Sequence, residues 1–369
     1  MIQSRSMILT ALAASSLLAS NAFSQTIGFT TVPGGFNASS ITLPEGFAGG
    51  LGVDPTDDRI VYASVGAFTD NKLAKVDLES ASSRIVAQGP FGSLGGIAVL
   101  SATVMVLVDN SSAPGGPPDD TILIARDTNG DGDFDDAGEI EELIAPILTP
   151  GNWTGVQART VPAGDPSGIP SGSVVIQTAD GGGGSELLVI ADPLVAPAYR
   201  PAASAYFSGF DFNGGFDFDS QGRLIMGTAT GAFVGNVIAL VNTNLDENID
   251  PGESHTIVSG GGLPFGKSDL AIDAEDEAYC TSGGFIDSFP VPADPLTGSA
   301  TPENFAVTDS GFLSAILFNS KTRPFEPGVG AAGAKLIASG FTGGFEQATN
   351  LLVLSPSQSL EVADWRLYD

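Results

Sequence analysis

The sequence predicts an all-β protein, a single β-propeller of about six four-stranded blades. Three observations lead there. Gly makes up 48 of 369 residues, about 13% against a usual ~7%, and such an excess calls for many tight turns. Beyond the first 24 residues, no long segment places apolar residues at i, i+3, i+4 and i+7, so helices are not expected. A glycine-led apolar head also recurs along the chain at intervals of roughly 45–60 residues, which is the spacing of propeller blades.

The heads are explicit. Gly49-Gly50-Leu51-Gly52-Val53-Asp54 leads through Pro55–Asp58 into Arg59-Ile60-Val61-Tyr62. Gly95-Gly96-Ile97-Ala98-Val99 leads into Thr103–Val106, and Gly214-Gly215-Phe216-Asp217-Phe218-Asp219 turns at Ser220-Gln221-Gly222 into Arg223–Met226. Asp269-Leu270-Ala271-Ile272-Asp273 turns at Ala274-Glu275-Asp276 into Glu277–Cys280. Weaker copies begin near Thr154 and Leu313. A third strand is read at Lys72–Val76, Thr121–Ala125, Glu186–Ile190, Asn236–Leu240, Phe285–Val291 and Asn350–Leu354, and a fourth at Arg84–Ala87, Glu141–Ile144 and Thr256–Val258. A two-sheet sandwich gives no reason for this repeat. Six heads predict six blades; a seven-bladed division of Leu313–Asp369 stays open. Phe29–Gly35 is expected to close the ring by completing the blade of the C-terminal segment, with Leu360–Leu367 competing for that edge.

Residues 1–24 read as a secretory signal peptide: Arg5 as the positive n-region, an apolar stretch from Met7 to Ala19, and small residues at Ser20, Ala22 and Ser24. The apolar stretch is too short to span a bilayer. Residues 25–369 form the propeller domain, and the expected location is secreted or periplasmic. Net charge is −29; a field of that sign repels phosphate backbones and anionic lipid, so neither nucleic acid nor a membrane surface is an expected partner. The partner is an extracellular ligand or protein left unspecified, and the chain is expected to be a monomer. Cys280, the single cysteine, cannot form an intrachain disulfide and reads as a small buried hydrophobe.

Two acidic loops carry a metal-ligand pattern. In the first, Asp127, Asn129, Asp131 and Asp135 alternate along the chain, Gly132 sits at the sharp-turn position, Asp133 offers a backbone carbonyl, and Glu139 closes one residue late. In the second, Asn242, Asn244, Asp246, Asn248 and Asp250 repeat the spacing and Glu253 holds the twelfth position, with Glu247 in place of the turn glycine. Hard oxygens at this spacing suit Ca2+ in a structural role, more tightly in the first loop, where more ligands are charged. Acidic hairpin turns have the same composition.

Catalytic constellations are scarce. His255 is the only histidine and reads as a surface residue on an outer strand, so His-rich zinc sites and Ser-His-Asp triads are nearly excluded. Gly181–Gly184 opens no helix and reads as a hairpin rather than a phosphate cradle.

Heads such as Gly215-Phe216-Asp217-Phe218-Asp219 with Gly222-Arg223-Leu224 resemble NHL-type repeats and related six-bladed propellers of secreted bacterial proteins, over most of the chain. Leu43-Pro44-Glu45-Gly46 resembles the glutamate-glycine start of gluconolactonase-type propellers. That resemblance implies a divalent metal held in the central channel by carboxylates and amides, although that family's later motifs find no match. Quinone-dependent sugar dehydrogenase propellers fit less well, for want of His and Arg. The resulting expectation is a non-catalytic binding module on a calcium-stabilised propeller, with a metal-dependent lactonase or esterase as the alternative.

Overall fold

The computed structural model describes residues 25–358 apart from 68–69, 111–120, 145–152, 162–166, 180–184, 195–202, 211, 230–234, 247, 260–268 and 345. Two N-terminal strands, β1 (Phe29–Thr31) and β2 (Phe36–Thr42), precede six antiparallel units. Blade 1 is β3 (Phe47–Val53), β4 (Ile60–Ala67), β5 (Asp70–Asp77) and β6 (Ser82–Phe91). Blade 2 is β7 (Leu94–Ser101), β8 (Val104–Asp109), β9 (Thr121–Arg126) and β10 (Ile140–Ile144). Blade 3 is β11 (Trp153–Thr160), β12 (Val174–Ala179), β13 (Ser185–Ile190) and β14 (Ala203–Phe210). Blade 4 is β15 (Phe212–Phe218), β16 (Leu224–Ala229), β17 (Gly235–Leu240) and β18 (Ser254–Val258). Blade 5 is β19 (Leu270–Ile272), β20 (Glu277–Ser282), β21 (Phe285–Pro290) and β22 (Glu303–Thr308). Blade 6 is β23 (Phe312–Phe318), β24 (Leu336–Phe341), β25 (Asn350–Pro356) and the N-terminal β2. The first strand of each unit lines the centre, beside its counterparts in the neighbouring blades. No helix among the described residues is long and apolar enough to cross a membrane. The chain is a six-bladed propeller, as the heads predict.

Both faces of a blade are buried, so successive side chains serve different seams. Ile225 faces blade 5, while its neighbours Leu224 and Met226 face blade 3. Among the described residues the buried apolar side chains fall into six clusters, one for each seam. Stability is therefore spread round the ring, and the heads read as apolar runs rather than strict alternation.

The head glycines follow from the crowding of inner strands. A Cβ on Gly49 would lie 2.4 Å from Leu94 O, one on Gly50 2.6 Å from Gly95 O, and one on Gly52 2.7 Å from Ile97 Cγ2, all in blade 2. The acids that end the heads secure the turns that follow. Asp54 accepts from Thr56 N (2.8 Å), Asp219 from Gln221 N (3.0 Å) and Arg223 N (2.9 Å), and Asp273 from Glu275 N (3.0 Å) and Glu277 N (2.9 Å). The repeat motif is thus a packing and turn signature.

Ring closure departs from expectation in one strand. β2 pairs with β25 from Phe36↔Pro356 to Thr42↔Asn350, so N- and C-terminal strands do close blade 6. The segment expected there, Phe29–Gly35, instead supplies β1, a fifth outer strand on blade 5, pairing with β22. Pro33 has no N–H for a ladder, and the Gly34-Gly35 turn, with φ +86° at Gly35, parts the two strands. Residues 1–24 and the competing segment Leu360–Leu367 lie outside the described residues.

Candidate functional site

The two acidic loops join β9 to β10 and β17 to β18, and they share one construction. In the first, Asp127 accepts from Gly130 N (2.6 Å) and Gly132 N (3.0 Å), Asp131 from Asp133 N (3.2 Å), and Asp133 from Asp135 N (3.1 Å). Asn129 Nδ2 donates to Asp131 (2.9 Å) and to Asp136 (2.5 Å). Glu139 is buried; its oxygens accept from Thr128 N (2.8 Å) and Asp136 N (3.2 Å), so it fastens the loop's two ends. Asp135 turns away to the neighbouring blade, accepting from Gln88 N at 2.6 Å. Asp136, absent from the sequence-derived set, takes its place inside the loop. Lost solvation first, then the charges of Glu139, Asp131, Asp133 and Asp135, push its carboxyl up.

In the second loop Asn244 Nδ2 donates to Asp246 (2.9 Å) and Asp250 (3.1 Å), and Asp246 accepts from Asn248 N (2.8 Å). Glu253 repeats the clasp on Thr243 N (2.7 Å) and Asp250 N (2.8 Å); the Thr243 hydroxyl, foremost, holds its carboxyl below the ordinary range. Glu247 lies outside the described residues. Among those described, no group of three or more His, Cys, Asp or Glu side chains is arranged to hold a metal ion. The donor sets of these loops mix carboxylates with amides.

Each loop also laps onto the blade before it, a role no ligand spacing announces. Phe134 N donates to Val86 O of β6 (2.7 Å) while its ring, 3% exposed, enters the apolar cluster between blades 1 and 2. Ile249 N donates to Tyr206 O of β14 (2.9 Å), with its side chain against the blade 3–4 cluster.

A concavity lies at the end of the channel where the inner strands finish. Its volume is about 1350 Å³, and its wall is built from strand ends and first turns of the blades, including Asp54, Arg159, Asp217, Lys321 and Arg323. Four charged side chains, of which Arg159, Asp217 and Lys321 line the concavity and Asp269 is buried outside it, tie four blades together. Asp217 of β15 accepts from Ile272 N of β19 (2.8 Å) and from Lys321 Nζ, which also donates to Ile272 O (2.6 Å). Asp269 accepts from Ile316 N of β23 (2.8 Å) and stands 3.5 Å from Arg159 Nη2 of β11. Burial, opposed mainly by Arg159, lifts the Asp269 carboxyl to about 7. Two acids and two bases together leave the cluster near neutrality while offering the mouth donors and acceptors at its edge. The sequence singled out the heads holding Asp217 and Asp269, but Arg159 and Lys321 carry no local pattern.

Glu45, the residue behind the gluconolactonase-type resemblance, precedes β3 and so lies toward the opposite end of the channel. There it forms an ion pair with Lys72. On the outer strand β18, His255 Nε2 lies 3.1 Å from Gly298 O, and Cys280 is a buried thiol in the blade 4–5 seam, its Sγ 3.7 Å from Asp287 O. Gly181–Gly184 lies outside the described residues.

No family model matches the chain, and no curated protein matches it. Solved structures do. The PQQ-bound aldose sugar dehydrogenase of Streptomyces coelicolor aligns at 14% identity over 88% of this chain and 99% of its own, TM-score 0.57. A luciferin-regenerating enzyme aligns at 11% over 86% and 95%, TM-score 0.59. A provisionally assigned gluconolactonase aligns at 13% over 90% and 98%, TM-score 0.52. What they share with this chain is the fold. The six-bladed ring expected from the heads is the arrangement found.

Proposed function

We propose that this propeller is a secreted or periplasmic monomer that binds a polar small molecule in the channel mouth, on the sugar or sugar-acid scale. The observation that carries this reading is the composition of that mouth. In a chain of net charge −29, five of the 14 basic residues line it: Arg59, Arg159, Lys321, Arg323 and Lys335. They stand beside the acids Asp54, Asp57, Asp58, Asp217, Asp219 and Asp273. Paired charges of both signs at a concave site offer the convergent donors and acceptors that fix a polyhydroxylated ligand. The fold neighbours named for an aldose and for a gluconolactone-type substrate support the same ligand scale.

A second reading makes the same mouth catalytic, as a lactonase or esterase. What favours it is the Asp273 carboxyl at the wall of the mouth, which burial pushes up to about 6, within the range of a general acid or base, together with the enzymatic neighbours. One experiment separates the readings. Calorimetry against neutral sugars, aldonic acids and their lactones should find a ligand with Kd below about 1 mM, the weak end of specific recognition. Lys321→Gln should weaken it at least tenfold. Turnover of a lactone that falls with the same substitution moves the assignment to the enzyme. Absence of any binder, or binding indifferent to Lys321→Gln, refutes the mouth as the site.

A further inference from the structure

The second acidic loop contains an atom its own hydrogen bonds leave unexplained. Asn242 is 7% exposed, and its Oδ1 has no hydrogen-bond partner. The amide cannot simply turn over, because Nδ2 donates to Asp246 O at 2.5 Å; exchanging N for O would set two oxygens against each other. Gly168 of blade 3 closes over this side chain: a Cβ there would lie 3.2 Å from Asn242 Nδ2. A buried amide oxygen held in place and left unpaired is costly unless a ligand completes it.

The other side chains of the loop indicate the ligand. Asn242 holds the first position of the loop. One carboxylate oxygen from Asp246 and one from Asp250 converge on a single nitrogen, Asn244 Nδ2, at 2.9 and 3.1 Å. A half-turn of the Asn244 amide, which gives up the bond its Oδ1 accepts from Asp246 N (3.1 Å), replaces that nitrogen with an oxygen. The result is a set of hard oxygens, two of them charged, with neither imidazole nor thiolate. Such a set selects Ca2+ over transition metals, and its irregularity disfavours the strict octahedron of Mg2+. We propose that the loop 242–253 binds one calcium ion through Asn242 Oδ1, Asn244, Asp246 and Asp250, with water completing the shell, and thereby fastens blade 4 onto blade 3.

Glu253 is not a ligand in this proposal, because both its oxygens are held by loop amides. The first loop is not included either. At its corresponding position Asp127 has both oxygens occupied, by Gly130 N and Gly132 N, and no orphan remains. With only two charged ligands the affinity belongs to the range of extracellular modules, Kd about 10⁻⁴–10⁻³ M.

The test is calcium titration of the full mature chain by calorimetry, paired with melting curves in EDTA and in 10 mM calcium. Asn242→Leu keeps the branched shape and removes the oxygen. It should cost one bound calcium per chain and abolish that part of the melting response. Asp131→Asn, in the first loop, should leave this ion bound. If Asn242→Leu does not fold, Asp250→Asn supplies the test, since loss of a charged ligand should weaken binding at least tenfold. The proposal is overturned by no calcium binding up to 10 mM, by binding unchanged in the Asn242 or Asp250 variant, or by Mg2+ binding equally well.

Discussion

Truncating Phe134 to alanine should weaken the seam between blades 1 and 2 far more than its place in a surface loop suggests. The ring is 3% exposed and packs with Tyr62, Leu73, Val86, Phe91 and Leu123. Removing a buried phenyl costs its transfer energy plus that of the cavity left behind, about 3–5 kcal/mol together. The surroundings restrict relaxation, because the loop stays anchored by Phe134 N to Val86 O (2.7 Å), Gln88 N to Asp135 (2.6 Å) and Arg84 to Gly132 O (2.7 Å). For a chain of this size the unfolding entropy is about 0.7 kcal/mol/K, so the loss corresponds to a melting temperature lower by about 4–7 °C. Differential scanning calorimetry measures the shift. Hydrogen exchange should add a local signature, faster exchange along β6 with blades 4 and 5 unchanged. Ile249→Ala, at the matching but only partly buried position, should cost less than half as much. A Phe134→Ala melting temperature within about 1 °C of the parent would show that the loop is a solvated hairpin and that the seam does not depend on it.

Three further outcomes follow from the same structure. Gly50→Ala places a methyl 2.6 Å from Gly95 O and should sharply lower expression and melting temperature, whereas Gly34→Ala, with nothing within 4 Å, should be neutral; equal melts would refute the crowding of inner strands. Burial lifts Asp269 to about 7 and Asp273 to about 6, above the ~3.9 of an unfolded Asp. The folded chain thus keeps protons that the unfolded chain has released, so their contribution to stability grows as pH falls from about 7 toward 4 and is lost as pH rises through the folded values. Melting temperature against pH should show this slope, and Asp269→Asn should flatten its upper part; an unchanged slope would rule out Asp269 as its source. Leu245, 62% exposed with φ +58°, occupies the left-handed position that Gly130 fills in the first loop. Leu245→Gly should stabilise by up to about 1 kcal/mol, and a lower melting temperature would refute strain there.

The fold was legible because its demands are local. A head glycine is required wherever an inner strand passes within a Cβ of the next blade, and Asp54, Asp219 and Asp273 are required to turn the chain out of the channel. Both recur once per blade and so appear as a repeat. Ring closure was legible only in part. That an N-terminal strand completes the last blade follows from topology, but choosing Phe36–Thr42 over Phe29–Thr31 depends on pairing across more than 300 residues, where β2 finds seven partners on β25 and β1 two on β22. Nothing within either segment encodes that choice.

The channel mouth was less legible for a related reason. Asp217, Asp269, Arg159 and Lys321 come from four blades and meet only once the ring is closed, so no spacing along the chain records them. The acidic loops present the opposite case. Their spacing is conspicuous, yet it leaves the direction of each side chain open. The pattern gives the first loop the stronger ligand set, while the structure turns Asp135 to the neighbouring blade, brings Asp136 to Asn129 in its place, and leaves an unpaired buried oxygen in the second loop, at Asn242.

The lapping of one blade's hairpin over the next bears on why this chain can be so acidic and lack a disulfide. The outer strand of a blade is an open sheet edge, liable to pair with another chain. Here β6 is covered by Phe134 and Asp135, β14 by Ile249, β18 by Ala300 N on Ile257 O (2.7 Å), and β22 by β1. The covering segments occupy the edge amides and carbonyls and surround them with carboxylates, which repel an incoming strand. Each lap also joins two blades near the rim, where the six apolar seams would otherwise be free to splay. The acidity of the loops then has a mechanical reason of its own, and a calcium ion in the second loop would strengthen a fastening the backbone already makes.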